Sequence, residues 1–153
     1  AGKPFPPFFG PDQFGDEVVL YDFYGEGPVV LDLSTMWCGI CHDMAAWLGG
    51  APDSLNDARW SAVRDAVDDG RVRWITVLNQ DAQGMPASEQ TVRTWHDQHP
   101  HERVPVLLDR ESRIADFVRA VGYPTLVLLD EELRIVKVGS GYADVLDRIV
   151  TEL

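Results

Sequence analysis

The sequence predicts an α/β fold built on a central mixed sheet, in which most strands are parallel and the last two are antiparallel. Short apolar runs, each typical of a buried strand, alternate with segments whose apolar residues recur at helical spacing. Such alternation is typical of a sheet flanked by helices. Near the C-terminus, two apolar runs are separated only by the acidic stretch 130–132, which indicates a hairpin. The predicted order is β-α-β-α-β-α-β-β-α, with one extra N-terminal β element ahead of it.

The individual elements are predicted from apolar runs, caps and turn residues. Residues 1–16 are rich in Pro, Phe and Gly and should form an extended lead-in. Its aromatic residues, which we expect to pack onto the body of the protein, are Phe5, Phe8, Phe9 and Phe14. The extra β element covers 18–24. The strands of the main sheet are predicted at 29–34, 71–79, 104–108, 123–129 and 133–138, and the helices at 39–48, 54–70, 88–99, 112–121 and 142–153.

Length and charge limit the classes of function. A chain of 153 residues predicts one domain, 1–153. The net charge of −12 argues against non-specific nucleic-acid binding and against adsorption to an anionic membrane surface. The sequence has no apolar run long enough to span a bilayer. It starts with Ala1 rather than Met, and we expect a processed form from which an N-terminal leader or anchor has been removed.

The two cysteines of the chain form one Cys-x-x-Cys motif, Cys38-Gly39-Ile40-Cys41. It lies where the buried strand 29–34 leads into a helix, so the first thiol sits at a helix N-terminus that favours its thiolate. The second thiol lies one turn away, where it can attack a mixed disulfide on the first. Cys38 is therefore predicted to be the nucleophile and Cys41 the resolving thiol. Cysteines this close in sequence do not staple a fold.

Other interpretations of the motif remain open at this point. With His42 it reads Cys-x-x-Cys-His, a c-type haem attachment signature, although no residue is fixed as the second axial ligand. A zinc site would need a second pair of ligands at metal spacing. Thr35 gives the Thr-x-x-Cys part of a peroxide-reducing site, but the proline expected four residues earlier is replaced by Leu31. The remaining histidines, interpreted as surface residues near a helix end, are His96, His99 and His101.

Two separated motifs carry a resemblance to a known family. The strand followed by Trp37-Cys-Gly-Ile-Cys41, and Gly122-Tyr-Pro-Thr125 ahead of a later strand, are similar to the motifs of the thioredoxin fold. The Pro- and Phe-rich lead-in, the extra N-terminal strand and the long connection after the first helix resemble the periplasmic TlpA/ResA-type thiol:disulfide oxidoreductases. The resemblance covers 7–153 and implies a thioredoxin-like fold.

Asp32 is a carboxylate within an apolar run, six residues before Cys38. Burial should raise its pKa because desolvation disfavours the charged form. By the resemblance, it matches the buried acid of thioredoxins, which exchanges a proton with the resolving cysteine. The resemblance therefore assigns Asp32 to the catalytic set.

The resemblance also implies a substrate-binding surface around the cysteines. Pro124 matches the family's cis-proline, and Tyr123 before it would pair its main chain with the substrate. Trp37 matches the tryptophan that flanks the site, and Gly39 lies between the cysteines with Ile40. Ile40 stands where the family usually has proline, which should alter the reduction potential.

These features together predict a thiol:disulfide oxidoreductase that acts on cysteine-containing proteins. The resemblance implies a monomeric reductant that needs no metal or organic cofactor. It would act in the periplasm or elsewhere outside the cytoplasm, fed by a membrane-bound electron donor and anchored through a missing N-terminal segment. The alternatives are a redox-inert, haem-binding or metal-binding module that reuses the fold, and a peroxiredoxin-like peroxide reductase.

Overall fold

A five-stranded mixed sheet forms the centre of the computed structural model, which describes residues 2–51, 54–55 and 57–153. The strand order is β5-β4-β3-β6-β7. Strands β3, β4 and β5 are parallel, whereas β6 and β7 are antiparallel to their neighbours, as the sequence predicts. The strands are β3 Val29–Ser34, β4 Arg73–Leu78, β5 Val106–Leu108, β6 Thr125–Leu129 and β7 Ile135–Ser140.

Helices cover both faces of this sheet. Helices α1, α2 and α5 bury their apolar stripes in one cluster against β3, β4 and β6. Helix α3 packs beside them against β5 and the cysteines, whereas α4 lies on the opposite face with the N-terminal segment. The helices are α1 Gly39–Leu48, α2 Asp57–Asp68, α3 Glu89–Gln98, α4 Arg113–Val118 and α5 Ala143–Glu152. None of the helices in the described ranges is long and apolar enough to cross a membrane.

The central strand β3 explains where the motif lies. All six of its residues are buried, because helices cover both faces of a central parallel strand. Val30 joins the cluster of α1, whereas Leu31 and Leu33 join the cluster of α4, as expected when side chains alternate along a strand. Asp32 alternates with Leu31 and Leu33 and therefore faces α1. The last residue of β3, Ser34, is four residues before Cys38.

The N-terminal region differs from its prediction. Instead of a simple extended lead-in and a strand at 18–24, it contains a two-stranded antiparallel sheet of β1 Phe9–Pro11 and β2 Glu17–Val19. The chain then turns into a 3-10 helix, Leu20–Phe23, which places Leu20 in the core. A continued strand would alternate its side chains and could not make this turn. Ala1, where the predicted lead-in starts, lies outside the described residues.

The lead-in aromatics are only partly buried. Phe5 is buried against Phe117, with ring centroids 5.1 Å apart, and Phe8 packs on the same cluster. The prediction is wrong for Phe9 and Phe14, which are 62% and 72% exposed. In β1, Gly10 faces inward so closely that a Cβ there would lie 2.8 Å from the Leu108 carbonyl oxygen. Because side chains alternate, Phe9 must then point outward.

Helix α4 is shorter than the predicted 112–121. Glu111 and Ser112 have left-handed φ angles of 58° and 55°, so the α-helix starts only at Arg113. Arg119 ends it with a φ of 56°. The backbone thus makes two sharp changes of direction that a helical pattern of apolar residues does not reveal.

Candidate active site

The Cys-x-x-Cys motif occupies the junction between β3 and α1. Cys38 is the N-cap of α1, and its Sγ accepts a hydrogen bond of 3.1 Å from the main-chain N–H of Cys41. The two residues form a disulfide, with Cα atoms 5.2 Å apart. Cys41 is fully buried, whereas Cys38 retains 5% exposure. Cys38 is therefore the more accessible of the two cysteines, and its sulfur has an N–H donor that would favour a thiolate.

Asp32 lies in β3, two residues before the end of the strand, and is buried at 1% exposure. Burial raises its pKa from 3.8 to about 6, against the opposing effect of two hydrogen bonds. Ser34 Oγ donates to one carboxylate oxygen at 2.7 Å, and the indole N–H of Trp74 donates to the other at 3.1 Å. Both partners are neutral, so neither offsets desolvation as a cation would. A carboxyl with such a pKa can exchange a proton near neutral pH.

Sequence reasoning missed both partners of Asp32, although strand geometry offered a signal. Ser34 is two residues further along β3 and therefore on the same face as Asp32. Trp74 lies in the neighbouring strand β4, where Asp32 pairs with Thr76. Trp74 is two residues before Thr76 and thus also on that face. Only the pairing register of the parallel strands β3 and β4 shows that Trp74 lies on the same face as Asp32.

The predicted substrate-binding residues converge around Cys38. Trp37 is 50% exposed and Ile40 is 51% exposed, and Gly39 between the cysteines is exposed as well. The Trp37 ring meets the edge of the Tyr123 ring, with centroids 6.0 Å apart. Its indole N–H donates to Gln80 Oε1 at 2.6 Å, a contact that the sequence did not indicate. Together these residues form an exposed, mainly apolar rim beside the disulfide.

Pro124 is distant from the cysteines in the sequence but lies next to this rim in the fold. Leu33 pairs with Thr125, so the start of β6 lies beside the end of β3 and next to the motif. The Tyr123–Pro124 peptide bond is cis. In the described part of the protein, no main-chain hydrogen bond involves Tyr123. Its N–H and C=O are therefore free to pair with an incoming extended segment. Burial raises the pKa of the Tyr123 hydroxyl.

His42 and His99 lie against each other, a contact that the sequence did not indicate. Both ring nitrogens of His42 have partners: Nε2 lies 2.7 Å from the Met36 carbonyl oxygen, and Nδ1 lies 2.7 Å from Nε2 of His99. His99 is half-buried, and burial together with the neighbouring His42 ring lowers its pKa. The surface interpretation of His99 is therefore wrong, because α1 and α3 pack its ring against His42.

Thr35, His96 and His101 are the remaining residues that the sequence analysis considered for a peroxide-reducing, haem or metal site. The Thr35 side chain is fully buried, and its hydroxyl oxygen has no hydrogen-bond partner in the structure. Within residues 2–51, 54–55 and 57–153, no three His, Cys, Asp or Glu side chains are grouped as metal ligands would be. His101 lies 3.2 Å from Asp68, and the ring of His96 meets the edge of Phe14.

Comparison with known protein sequences identifies a distantly related protein. No family model matches the chain. An uncharacterized protein of Haemophilus influenzae is 27% identical over 131 residues, which cover 86% of this chain and 74% of that protein.

Solved structures with thioredoxin-like folds superpose on nearly the whole chain. The thioredoxin domain of a thiol-disulfide oxidoreductase from Bacteroides vulgatus gives a TM-score of 0.71 at 21% identity, covering 99% of this chain and 95% of that one. An exposed lipoprotein thioredoxin of Streptococcus pneumoniae gives 0.68 at 23% identity, covering 97% and 100%. A peroxidoxin of Mycobacterium tuberculosis gives 0.71 at 16% identity, covering 99% and 96%. The predicted thioredoxin-like fold is thus confirmed.

Proposed function

We propose that this protein is a thiol:disulfide oxidoreductase that exchanges the Cys38–Cys41 dithiol and disulfide with cysteines of other proteins. The observation that carries the proposal is the disulfide at the start of α1, where the N–H of Cys41 bonds Cys38 Sγ. Helix N-termini stabilise a thiolate, and the more exposed cysteine is the one that occupies this position. Of the structural neighbours described above, the one from Bacteroides vulgatus is a thiol-disulfide oxidoreductase and the one from Streptococcus pneumoniae is a thioredoxin.

The reaction follows from the two thiols. In the reduced protein, the Cys38 thiolate attacks one sulfur of a partner disulfide, whose other sulfur leaves as a thiolate. Cys41 then attacks Cys38 Sγ, releasing the partner's second thiolate and closing the Cys38–Cys41 disulfide. Two electrons pass to the partner. A second dithiol, which donates two electrons, restores the reduced state.

Asp32 is suited to handle the proton in the second step. Cys41 is buried and must lose its proton before it can attack, yet it has no direct access to solvent. The raised pKa of Asp32, about 6, allows the carboxylate to take up a proton near neutral pH and release it later. We assign Asp32 the role of proton acceptor for Cys41.

The exposed rim supports docking of a protein substrate. Trp37 and Ile40 offer apolar contact beside the disulfide, and Tyr123, whose ring meets that of Trp37, offers unpaired main-chain groups. An extended segment of a partner can add its main chain to such an edge while its cysteine lies over Cys38. Gly39 leaves the space above the motif open, and Pro124 fixes the course of the chain at Tyr123.

The direction and location of the reaction are part of the proposal. The resemblance to TlpA/ResA-type proteins favours a monomeric reductant acting in the periplasm or elsewhere outside the cytoplasm, fed by a membrane-bound donor. The pneumococcal neighbour is an exposed lipoprotein, which agrees with that location and with an N-terminal anchor. We propose one domain over 1–153 without a metal or organic cofactor.

A peroxide reductase is the second candidate. The Mycobacterium tuberculosis peroxidoxin shares the fold, and Thr35 stands three residues before Cys38 with a buried, unpartnered hydroxyl oxygen. Haem attachment has less support, because both His42 nitrogens already have partners and the cysteines are joined to each other.

One comparison of rates separates these functions. The wild-type protein should accelerate the reduction of insulin by dithiothreitol, and Cys38→Ser should abolish the acceleration. Hydrogen peroxide should be consumed no faster than by free thiol at the same concentration. Rapid peroxide consumption without insulin reduction would favour the second candidate, and thiols that do not cycle reversibly would favour a redox-inert module.

A further inference from the structure

Two imidazoles form a hydrogen-bonded pair directly behind the Cys-x-x-Cys motif. His42 is the residue after Cys41 in α1, and His99 caps the C-terminus of α3. Their rings meet through Nδ1 of His42 and Nε2 of His99 at 2.7 Å. The His42 ring also stacks on Trp95, with centroids 4.4 Å apart and planes inclined by 29°. The pair is therefore fixed by packing as well as by hydrogen bonding.

The chemistry of the contacts fixes the tautomers. The Met36 carbonyl oxygen can only accept, so Nε2 of His42 must carry a hydrogen to bond it at 2.7 Å. In a neutral ring, Nδ1 of His42 is then bare and accepts from the Nε2–H of His99. The lowered pKa of His99 favours this neutral arrangement. The hydrogen bonds run in one direction, from His99 through His42 to Met36.

This series of hydrogen bonds ends at Met36, in the segment that leads into Cys38. Thr35, Met36 and Trp37 connect the end of β3 to Cys38. The N–H of Met36 bonds the Gln80 carbonyl at 3.0 Å, and the N–H of Cys38 bonds the Thr35 carbonyl at 3.2 Å. The His42 bond takes the remaining main-chain acceptor of Met36 and ties the segment to α1 itself.

We propose that His42 and His99 are positioning residues for Cys38. His42 holds the segment 36–38 against α1 through the Met36 carbonyl, and His99 holds His42 in the tautomer that can donate. Neither imidazole touches the sulfurs in this role. The inference rests on the proposed function only in that Cys38 is the attacking thiol.

Two substitutions at His42 separate the hydrogen bond from the ring. His42→Gln places an amide N–H where Nε2 lies and keeps the donor, whereas His42→Phe keeps the stacking on Trp95 and loses the donor. The readout is the rate of Cys38 alkylation by iodoacetamide, with Cys41→Ser in every protein so that a single thiol reacts. We expect His42→Phe to slow alkylation about tenfold, the effect of one lost hydrogen bond to a main-chain acceptor, and His42→Gln to stay within about twofold of the wild type.

The outcomes distinguish this inference from the proposed function. If His42→Phe reacts as fast as the parent, or His42→Gln as slowly as His42→Phe, the positioning role is wrong. If alkylation follows the expected order but the wild-type protein, which has both cysteines, does not reduce insulin, the positioning role stands and the proposed function fails. Near-ultraviolet circular dichroism of each variant checks that it is folded.

The tautomers of His42 and His99 can also be measured in the wild-type protein. In ¹⁵N-labelled protein at about pH 8, where an imidazole of ordinary pKa is neutral, nitrogen shifts should show His42 with its hydrogen on Nε2. They should show the hydrogen of His99 on Nε2 as well. The opposite tautomer at His42 would overturn the proposal. His99→Leu removes the donor to Nδ1 of His42 and leaves the Met36 carbonyl in place, so it should increase the fraction of His42 that carries its hydrogen on Nδ1. An unchanged fraction would remove His99 from the proposal.

Discussion

The buried carboxyl of Asp32 makes the stability of the oxidised protein depend on pH. Its pKa is about 6 in the folded protein, against 3.8 for the ordinary group. Between these values the folded state holds the proton more firmly than the unfolded chain, so the free energy of unfolding falls as pH rises through this range. A shift of about 2 units corresponds to about 3 kcal/mol, which is fully lost above the folded pKa.

Asp32→Asn isolates this contribution because asparagine has a similar shape and does not ionise. The free energy of unfolding of both proteins should be measured in urea from about pH 3 to about pH 8, with the disulfide intact. Relative to the variant, the wild type should lose about 3 kcal/mol over this range. Other titrating groups are common to both proteins and cancel in the difference. A difference that stays constant with pH would refute the reasoning.

Ser34→Ala provides a matched test on the same carboxyl. The hydrogen bond from Ser34 lowers the pKa of Asp32, so its removal should raise that pKa further. The fall in stability relative to Asp32→Asn should then extend to higher pH than in the wild type. A shift of the transition to lower pH would contradict the assigned role of the Ser34 hydroxyl.

Two further predictions concern contacts that the structure revealed. Gln80→Ala removes the acceptor of the Trp37 indole N–H, so this proton should exchange with solvent faster in nuclear magnetic resonance spectra; unchanged exchange would mean that the bond does not hold the ring. Asp109→Ala removes the carboxylate that accepts from the N–H groups of Ile114 and Ala115 at the start of α4, and should lower the free energy of unfolding by about 1–2 kcal/mol in urea. A loss well below that would show that water replaces the cap.

The central sheet and the position of the cysteines could be predicted because their signals are local. The uninterrupted apolar run of β3 indicates a strand covered on both faces, and the motif follows it within four residues. The burial of Asp32 followed from its place inside that run. The approach of Tyr123 and Pro124 came from the resemblance, and the pairing of β3 with β6 provides its structural cause.

The pairs across elements could not be predicted in the same way. The contact between His42 and His99 depends on how α1 packs beside α3, which no local pattern encodes. Trp74 reaches Asp32 only through the register of β3 and β4. In the N-terminal region, the packing of Gly10 against a neighbouring carbonyl decides which aromatic side chains point outward. Each outcome depends on tertiary structure rather than on composition.

The central claim is that Cys38 attacks and Cys41 resolves, and trapping of the mixed disulfide tests it most directly. Reduced Cys41→Ser and reduced Cys38→Ser should each be incubated with insulin, and the products separated without reductant and weighed by mass spectrometry. We predict a stable adduct with insulin through Cys38 in the Cys41→Ser protein and none in the Cys38→Ser protein. An adduct formed only by the Cys38→Ser protein would reverse the roles, and no adduct with either would contradict disulfide exchange itself.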